Sequence, residues 1–243
     1  MATFAGFDTE YFPGDALMTW LHANSNLKWC GYYLAPAPNR SPTGWTGRYR
    51  SLSAKWGVVP IYVGQQDPRT ATARYVPSSV LTSDQGSLDA KDAGNLALAD
   101  RFPPGTFIYL DWEYGALDAN GAQDYIRSWV AAVMDDGRYM PGIYCSHLVA
   151  PNIVPILDLI NPAPGVRFWC WKVPTTNAHP FTGDLTAVPA PDPSGCGFAG
   201  ADSWQRDQNT IVTLGGDAPV RSMQVDFNTS SLANPAAPLA AYA

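Results

Sequence analysis

A chain of 243 residues with 46% hydrophobic and 15% charged side chains suits one large domain with a sizeable core. Its formal net charge of −6 and the lack of a basic stripe argue against a nucleic-acid partner, which needs clustered Lys and Arg. No run approaches the roughly 20 apolar residues of a membrane-spanning helix, so no membrane span is expected.

The opening "MATFAGFDTEYFPG" has no basic region followed by an apolar one, so no signal peptide is expected in this chain. "TFAGFD" (Thr3 to Asp8) reads as a first strand, and "GDALMTWLHAN" as a helix with Leu17, Trp20 and Leu21 on one face. Trp29 to Ala35 is a second strand, a helix is expected before Gly57, and Val58 to Gly64 is a third strand. "SLDAKDAGNLALADRF" is a helix with Ser87 as its expected cap, followed by a fourth strand in "TFIYLDWE". "NGAQDYIRSWVAAVMDDG" is the strongest helix, with Tyr125, Ile126, Trp129, Val130 and Val133 on its apolar face and Gly137 as its stop. Met140 to Ser146 is a fifth strand, "NIVPILDLI" a helix-like segment and Val166 to Val173 a sixth strand. "DSWQRDQ" and Ser222 to Asn228 are expected as the seventh and eighth. Strands alternating with helices predict an α/β fold, a single parallel (β/α)₈ barrel over residues 1–230. It is irregular after strand six, where Pro174 to Ala201 is proline-rich in place of a helix. Residues 231–243 are Ala/Pro-rich and read as a tail.

In such a barrel the C-terminal strand ends form the active face, and side chains two apart on a strand share a face. Asp111 and Glu113 close the fourth strand on one face, Asp8 ends the first, and Asp226 ends the eighth. Their convergence on one pocket would raise the pKa of at least one member. A protonated acid beside ionised carboxylates is the arrangement glycoside hydrolysis uses. A strand-end Asp alone is often only a helix cap; an acid pair on one inward face is harder to explain that way. Tyr62, Tyr144, Trp171 and Trp204 lie at other strand ends and are candidate stacking surfaces for sugar rings, although a lone Trp or Tyr is more often core. His147 follows the fifth strand, but a lone histidine is more often structural. The crossover Pro174 to Ala201 would leave from the active face and wall one side of the pocket.

No cofactor or metal is expected. The three histidines are scattered, and no GxSxG, P-loop or GxGxxG motif is present; a hard cation on the acid cluster stays open. Of Cys30, Cys145, Cys170 and Cys196, none forms a CxxC pair. Cys196, in a Pro/Gly loop, could bridge to Cys170 in an oxidising compartment.

"GFD" (Gly6 to Asp8), "DWE" (Asp111 to Glu113), "GIYCS" (Gly142 to Ser146), "WQ" (Trp204, Gln205) and "VDFN" (Val225 to Asn228) resemble the family 25 glycoside hydrolases, lysozymes of (β/α)₈ type. "GFDTEYFPG", "WCGYYLAPAP" and "VVPIYVGQQ" are similar to the glycoside hydrolase-like domains of the DUF1906 type. The resemblance implies a bacterial or phage origin and a carbohydrate polymer, peptidoglycan, as partner; a monomer and a site of action outside the cytoplasm are expected. It makes Glu113 the general acid, Asp111, Asp8 and Asp226 its surrounding acids, and Tyr144 a site residue. Glu10 and Trp171 depart from the pattern, where small residues are usual. The alternative is a non-catalytic barrel that binds glycan or protein and keeps the acidic pocket.

Overall fold

The computed structural model describes residues 2–70, 80–113, 115–160 and 165–239. In chain order the elements are β1 (Phe4–Asp8), α1 (Asp15–Asn24), β2 (Trp29–Tyr33), α2 (Tyr49–Ser53), β3 (Gly57–Tyr62), α3 (Ser83–Ala99) and β4 (Phe107–Trp112). There follow α4 (Ala122–Asp136), β5 (Met140–Ser146), α5 (Ala150–Leu157), β6 (Arg167–Trp171), β7 (His179–Pro180), β8 (Ala201–Thr213) and β9 (Ser222–Ser230). The apolar stripe of α4 is buried as its spacing predicts, and Gly137 ends it at φ 69°, a left-handed turn that suits glycine. For α3 the start lies earlier than expected. Thr82, not Ser87, caps it by accepting a hydrogen bond from the Gln85 amide.

Strands β1 to β6 pair in sequence order, β6 pairs with β8, and β9 joins β8 to β1, closing an eight-stranded barrel with β7 as an extra strand beside β8. The expectation of a fully parallel barrel is corrected at one strand: β9 runs antiparallel to both neighbours. The reason is chain length. Only residues 214–221 separate β8 from β9, whereas a parallel crossover needs a dozen residues or more. The link is a hairpin, with the Leu214 amide bonded to the Arg221 carbonyl at 2.9 Å.

Two layers bury the sheet. Outward side chains meet the helices, while Trp29, Val59, Ile61, Tyr109, Tyr144 and Trp169 fill the barrel. Gly142 makes room for this filling, since a Cβ there would lie 2.7 Å from the Tyr109 ring. The segment read as a tail is docked over the barrel's N-terminal end through residue 239; residues 240–243 lie outside the described residues. Tyr109 Oη donates to the Pro235 carbonyl at 3.0 Å, and Arg167 Nη1 donates to the carbonyls of Pro235 and Ala237 at 2.7 and 2.8 Å. Backbone carbonyls make this attachment, so side-chain pattern could not reveal it.

The crossover between β6 and β8 holds no α-helix, as its prolines predict, but it does not wall the pocket. Val188 is buried, Phe181 stacks on Phe227 at 4.9 Å, and Asn26 hydrogen-bonds the backbone of Leu185 and Val188. The crossover covers the outer face of the sheet where a helix would otherwise lie, because its own apolar side chains need that burial. Cys30, Cys145, Cys170 and Cys196 are buried and free, so the bridge that the sequence leaves open between Cys170 and Cys196 is not formed. Among the described residues, no helix is long and apolar enough to cross a membrane.

Candidate functional site

A cavity of about 900 Å³, its open mouth included, sits at the C-terminal end of the parallel strands. Its lining includes Asp8, Asp111, Glu113 and Asp226, with Glu10, Tyr11, Tyr33, Arg40, Tyr144 and Trp169. Strand parity explains much of this. Tyr109 and Asp111 point inward from β4, with Glu113 just beyond its end on the same side, and Tyr144 does so from β5.

Asp8 ends β1 and is only 4% exposed. Gly31 on β2 leaves it space, since a Cβ there would stand 2.6 Å from the Asp8 Cβ. Tyr33 Oη donates to Asp8 Oδ1 and Asn228 Nδ2 to Oδ2, each at 2.9 Å. Burial raises the Asp8 pKa from 3.8 to about 6; the Asn228 and Tyr33 hydrogen bonds oppose the rise, and the nearby Glu113 adds to it. Near neutrality this carboxyl exchanges its proton readily.

Asp226 arrives by register. It lies within β9, directly across from Asp8, so the antiparallel strand brings it to the mouth without its ending a strand. Irregular pairing in β8 between Gln205 and Thr210, with Asn209 at φ 56°, turns the Asn209 amide onto Asp226 Oδ1 at 2.7 Å. Gln205 Nε2 donates to Asp226 Oδ2 at 2.9 Å, and Gln205 Oε1 accepts from Tyr144 Oη at 2.5 Å. Burial, followed by repulsion from Glu113, Asp111, Asp8 and Asp226, pushes the Tyr144 pKa well up. It therefore stays a neutral phenol able to donate.

Gln66, on the loop after β3, clamps the Asp111–Glu113 segment. Its Nε2 donates to the Asp111 carbonyl at 2.6 Å, and its Oε1 accepts from the Glu113 amide at 3.2 Å. On the other side Trp171 Nε1 donates to the Glu113 carbonyl at 3.3 Å. Both acids are thus carried on a backbone fixed from two directions. Among the described residues, no group of three His, Cys, Asp or Glu side chains is arranged to hold a metal ion.

The other sequence candidates divide. Tyr144 lines the cavity, and Trp171 touches the Glu113 backbone without lining it. Tyr62 and Trp204 are corrected: both lie on the outward face. Tyr62 Oη donates to Asp92 at 2.9 Å, and Trp204 Nε1 donates to the Lys172 carbonyl at 2.9 Å. On β3 the inward residue beside Tyr62 is Ile61, so parity decides the matter. His147 Nδ1 faces the Trp171 carbonyl at 3.2 Å. Tyr33, Arg40 and Gln66 have no place in the sequence reading, and Gln205 and Asn228 enter it only as motif residues without a role. The i, i+2 rule could have found Tyr33 from Gly31 and Asn228 from Asp226. Gln66 sits on a loop and carries no periodic signal.

The family model of "Rv2525c-like, glycoside hydrolase-like domain" matches residues 20–211. Among curated proteins none matches. Solved structures do. An uncharacterized B. stearothermophilus protein superposes with a TM-score of 0.61 at 22% identity, over 94% of this chain and 96% of that one. The Mycobacterium tuberculosis Tat-secreted protein Rv2525c gives 0.53 at 15% identity, over 96% of each chain. A bacterial lysozyme from Streptomyces coelicolor gives 0.56 at 13% identity, over 96% of this chain and 94% of that one. At these identities the likeness shows the fold, a barrel of the glycoside hydrolase type. With the family model spanning most of the barrel, the chain belongs to the Rv2525c-like family of glycoside hydrolase-like domains.

Proposed function

We propose that this chain is a glycosidase acting on a bacterial cell-wall glycan, with peptidoglycan as its polymer and a muramidase-like cut. The observation that carries the reading is the gathering of Asp8, Asp111, Glu113 and Asp226 around one open cavity whose walls include Tyr11, Tyr33 and Tyr144. A glycosyl hydrolase 25 of Streptococcus pneumoniae and the Streptomyces coelicolor lysozyme among the structural relatives support it.

Cleavage of a glycosidic bond needs one carboxylic acid to protonate the leaving oxygen and negative charge to meet the oxocarbenium-like transition state. Glu113 is the proton donor. Asp111, two residues earlier on the same inward face, supplies charge to the reacting centre. Asp226, held as an acceptor by Asn209 and Gln205, adds negative potential. Asp8 holds its proton up to about pH 6, and Tyr144, its proton donated to Gln205, accepts at the sugar without ionising.

The test is release of reducing ends from purified peptidoglycan by the wild type and by Glu113→Gln. Turnover by the first and none by the second supports the assignment. No turnover by either would leave a glycan- or protein-binding barrel with a retained acidic pocket.

A further inference from the structure

A buried polar cluster lies behind the cavity wall, between α3, α4 and the loop after β3. Asp89 on α3 is 4% exposed. Three donors meet its carboxylate: Tyr125 Oη on α4 at 2.6 Å and Gln65 Nε2 at 3.3 Å on Oδ2, and Gln85 Nε2 at 2.7 Å on Oδ1. Burial raises the Asp89 pKa, and the three hydrogen bonds oppose the rise. An apolar residue would fill this place between two helices without the cost of burying a carboxylate, so packing alone does not account for it.

What the carboxylate holds is the foot of the loop after β3. Tyr125 Oη, besides donating to Asp89, accepts from the Gln65 amide at 3.0 Å. Gly64 makes this approach possible, since a Cβ there would collide with the Tyr125 oxygen. The Gln65 side chain, anchored on Asp89, accepts from the Val80 amide at 3.1 Å through Oε1. The point where the connection to α3 leaves the barrel is thus tied to the point where it returns. The next residue is Gln66, whose side chain grips the Asp111 carbonyl and the Glu113 amide. Tyr125 meets the same segment a second time, its ring 6.3 Å from that of Trp112, which stands between the two acids in sequence. Gln65 and Gln66 lie outside any helix or strand, so side chains must supply what regular structure does not.

We propose that Asp89 and Tyr125 are positioning residues for Glu113: through the Gln65 backbone they fix the Gln66 side chain, and with it the backbone that carries the proton-donating carboxyl. What Glu113 does rests on the glycosidase reading above; the mechanical link does not. Such a link matters because a misplacement of about 1 Å at a reacting group can cost up to about a hundredfold in rate.

The test compares three variants with wild type. Tyr125→Phe keeps the ring and deletes the hydroxyl that joins Asp89 to the Gln65 amide. Asp89→Leu deletes the acceptor. Asp89→Asn is the conservative change: its amide oxygen can take the Tyr125 and Gln65 donors while the Gln85 amide turns to meet its nitrogen. The first readout is hydrogen exchange of the Glu113 amide by NMR, which needs no substrate. It should quicken about tenfold in Tyr125→Phe and Asp89→Leu and stay within about twofold of wild type in Asp89→Asn. The second is peptidoglycan turnover well below each thermal midpoint. Tyr125→Phe should lower kcat about tenfold at unchanged KM, and adding it to Gln66→Leu should cost no more than Gln66→Leu alone, because both break one path. Unchanged exchange in both Tyr125→Phe and Asp89→Leu, an effect of Asp89→Asn as large as that of Asp89→Leu, or kcat losses that multiply in the double variant would each overturn the proposal and leave the glycosidase reading standing. Should the wild type itself release no reducing ends, the glycosidase reading falls and the exchange rates alone decide the link.

Discussion

The two sides of the barrel bring acids to the same cavity by different means. From β1 to β5 the chain alternates parallel strands and helices, and the acids follow from strand ends: Asp8 closes β1, and Asp111 and Glu113 lie at and just beyond the end of β4. From β6 to β9 the alternation fails. A helix-free crossover, an irregular β8 and an antiparallel β9 replace it, and Asp226 reaches the mouth from inside its strand. On the regular side rigidity comes from the sheet; on the irregular side it comes from the acid itself, which ties Asn209 and Gln205 together. The lesson is that carboxylates sharing a cavity can differ in whether the fold depends on them.

Substitutions can sharpen or break that contrast. The largest effect is expected at Glu113, where removal of a general acid costs 10²–10⁴-fold in rate. Glu113→Gln should lower peptidoglycan turnover by about a thousand-fold with an unchanged thermal midpoint, since its backbone is held independently by Gln66 and Trp171. A large drop in Tm would erase the difference between the two sides.

Asp226→Asn should lose both quantities. An amide in place of Oδ2 would face the Gln205 Nε2 donor, and a Gln205 flip to relieve this takes Oε1 away from Tyr144. Expected are about a hundred-fold in turnover and, from hydrogen bonds to a charged group, roughly 1.5–3 kcal/mol of stability. Equal urea midpoints for variant and wild type would show that the carboxylate does not hold the bulge.

Asp8 should move stability in the opposite sense. Its folded pKa of about 6 lies above the ordinary 3.8, so the native state holds the proton more tightly than the unfolded chain. Stability is therefore greatest below pH 4 as far as this group is concerned, and it falls as pH rises towards and through about 6. The full rise corresponds to roughly 3 kcal/mol. Asp8→Asn, which gives up the Asn228 hydrogen bond, should be about 1–2 kcal/mol more stable than wild type at pH 7.5 and no more stable at pH 4. Urea denaturation at the two pH values reads this; a gain that is the same at both would remove Asp8 from the titrating role.

Gln66→Leu is the smallest change expected. It keeps the volume but removes both clamps on the Asp111–Glu113 backbone. We expect a roughly tenfold fall in kcat with KM little altered, the signature of lost positioning rather than lost binding. An unchanged kcat would mean that the strand end is rigid without the clamp.

Much of this could be read before any coordinates. Hydrophobic period located β1 to β6 and the helix α4, because strands and helices expose their apolar residues at different spacings. The DxE spacing put Asp111 and Glu113 on one face, because strand side chains alternate. The sequence also suggested that the region after strand six lacks a helix, since its prolines cannot donate backbone hydrogen bonds. Other features needed the third dimension. The outward turn of Tyr62 and Trp204 depends on strand parity, the direction of β9 on a hairpin link, and the docking of residues 231–239 on carbonyls that meet Arg167. The raised pKa of Asp8 depends on burial, and the meeting of Arg40 with Glu10 and the Tyr33 ring on how the loops close over the barrel mouth. Sequence determined the residue types, their periodicity and hence the strand ends. Which groups meet across the barrel, and how much water they keep, was decided only by tertiary structure, because burial and electrostatic coupling depend on distances between residues far apart in the chain.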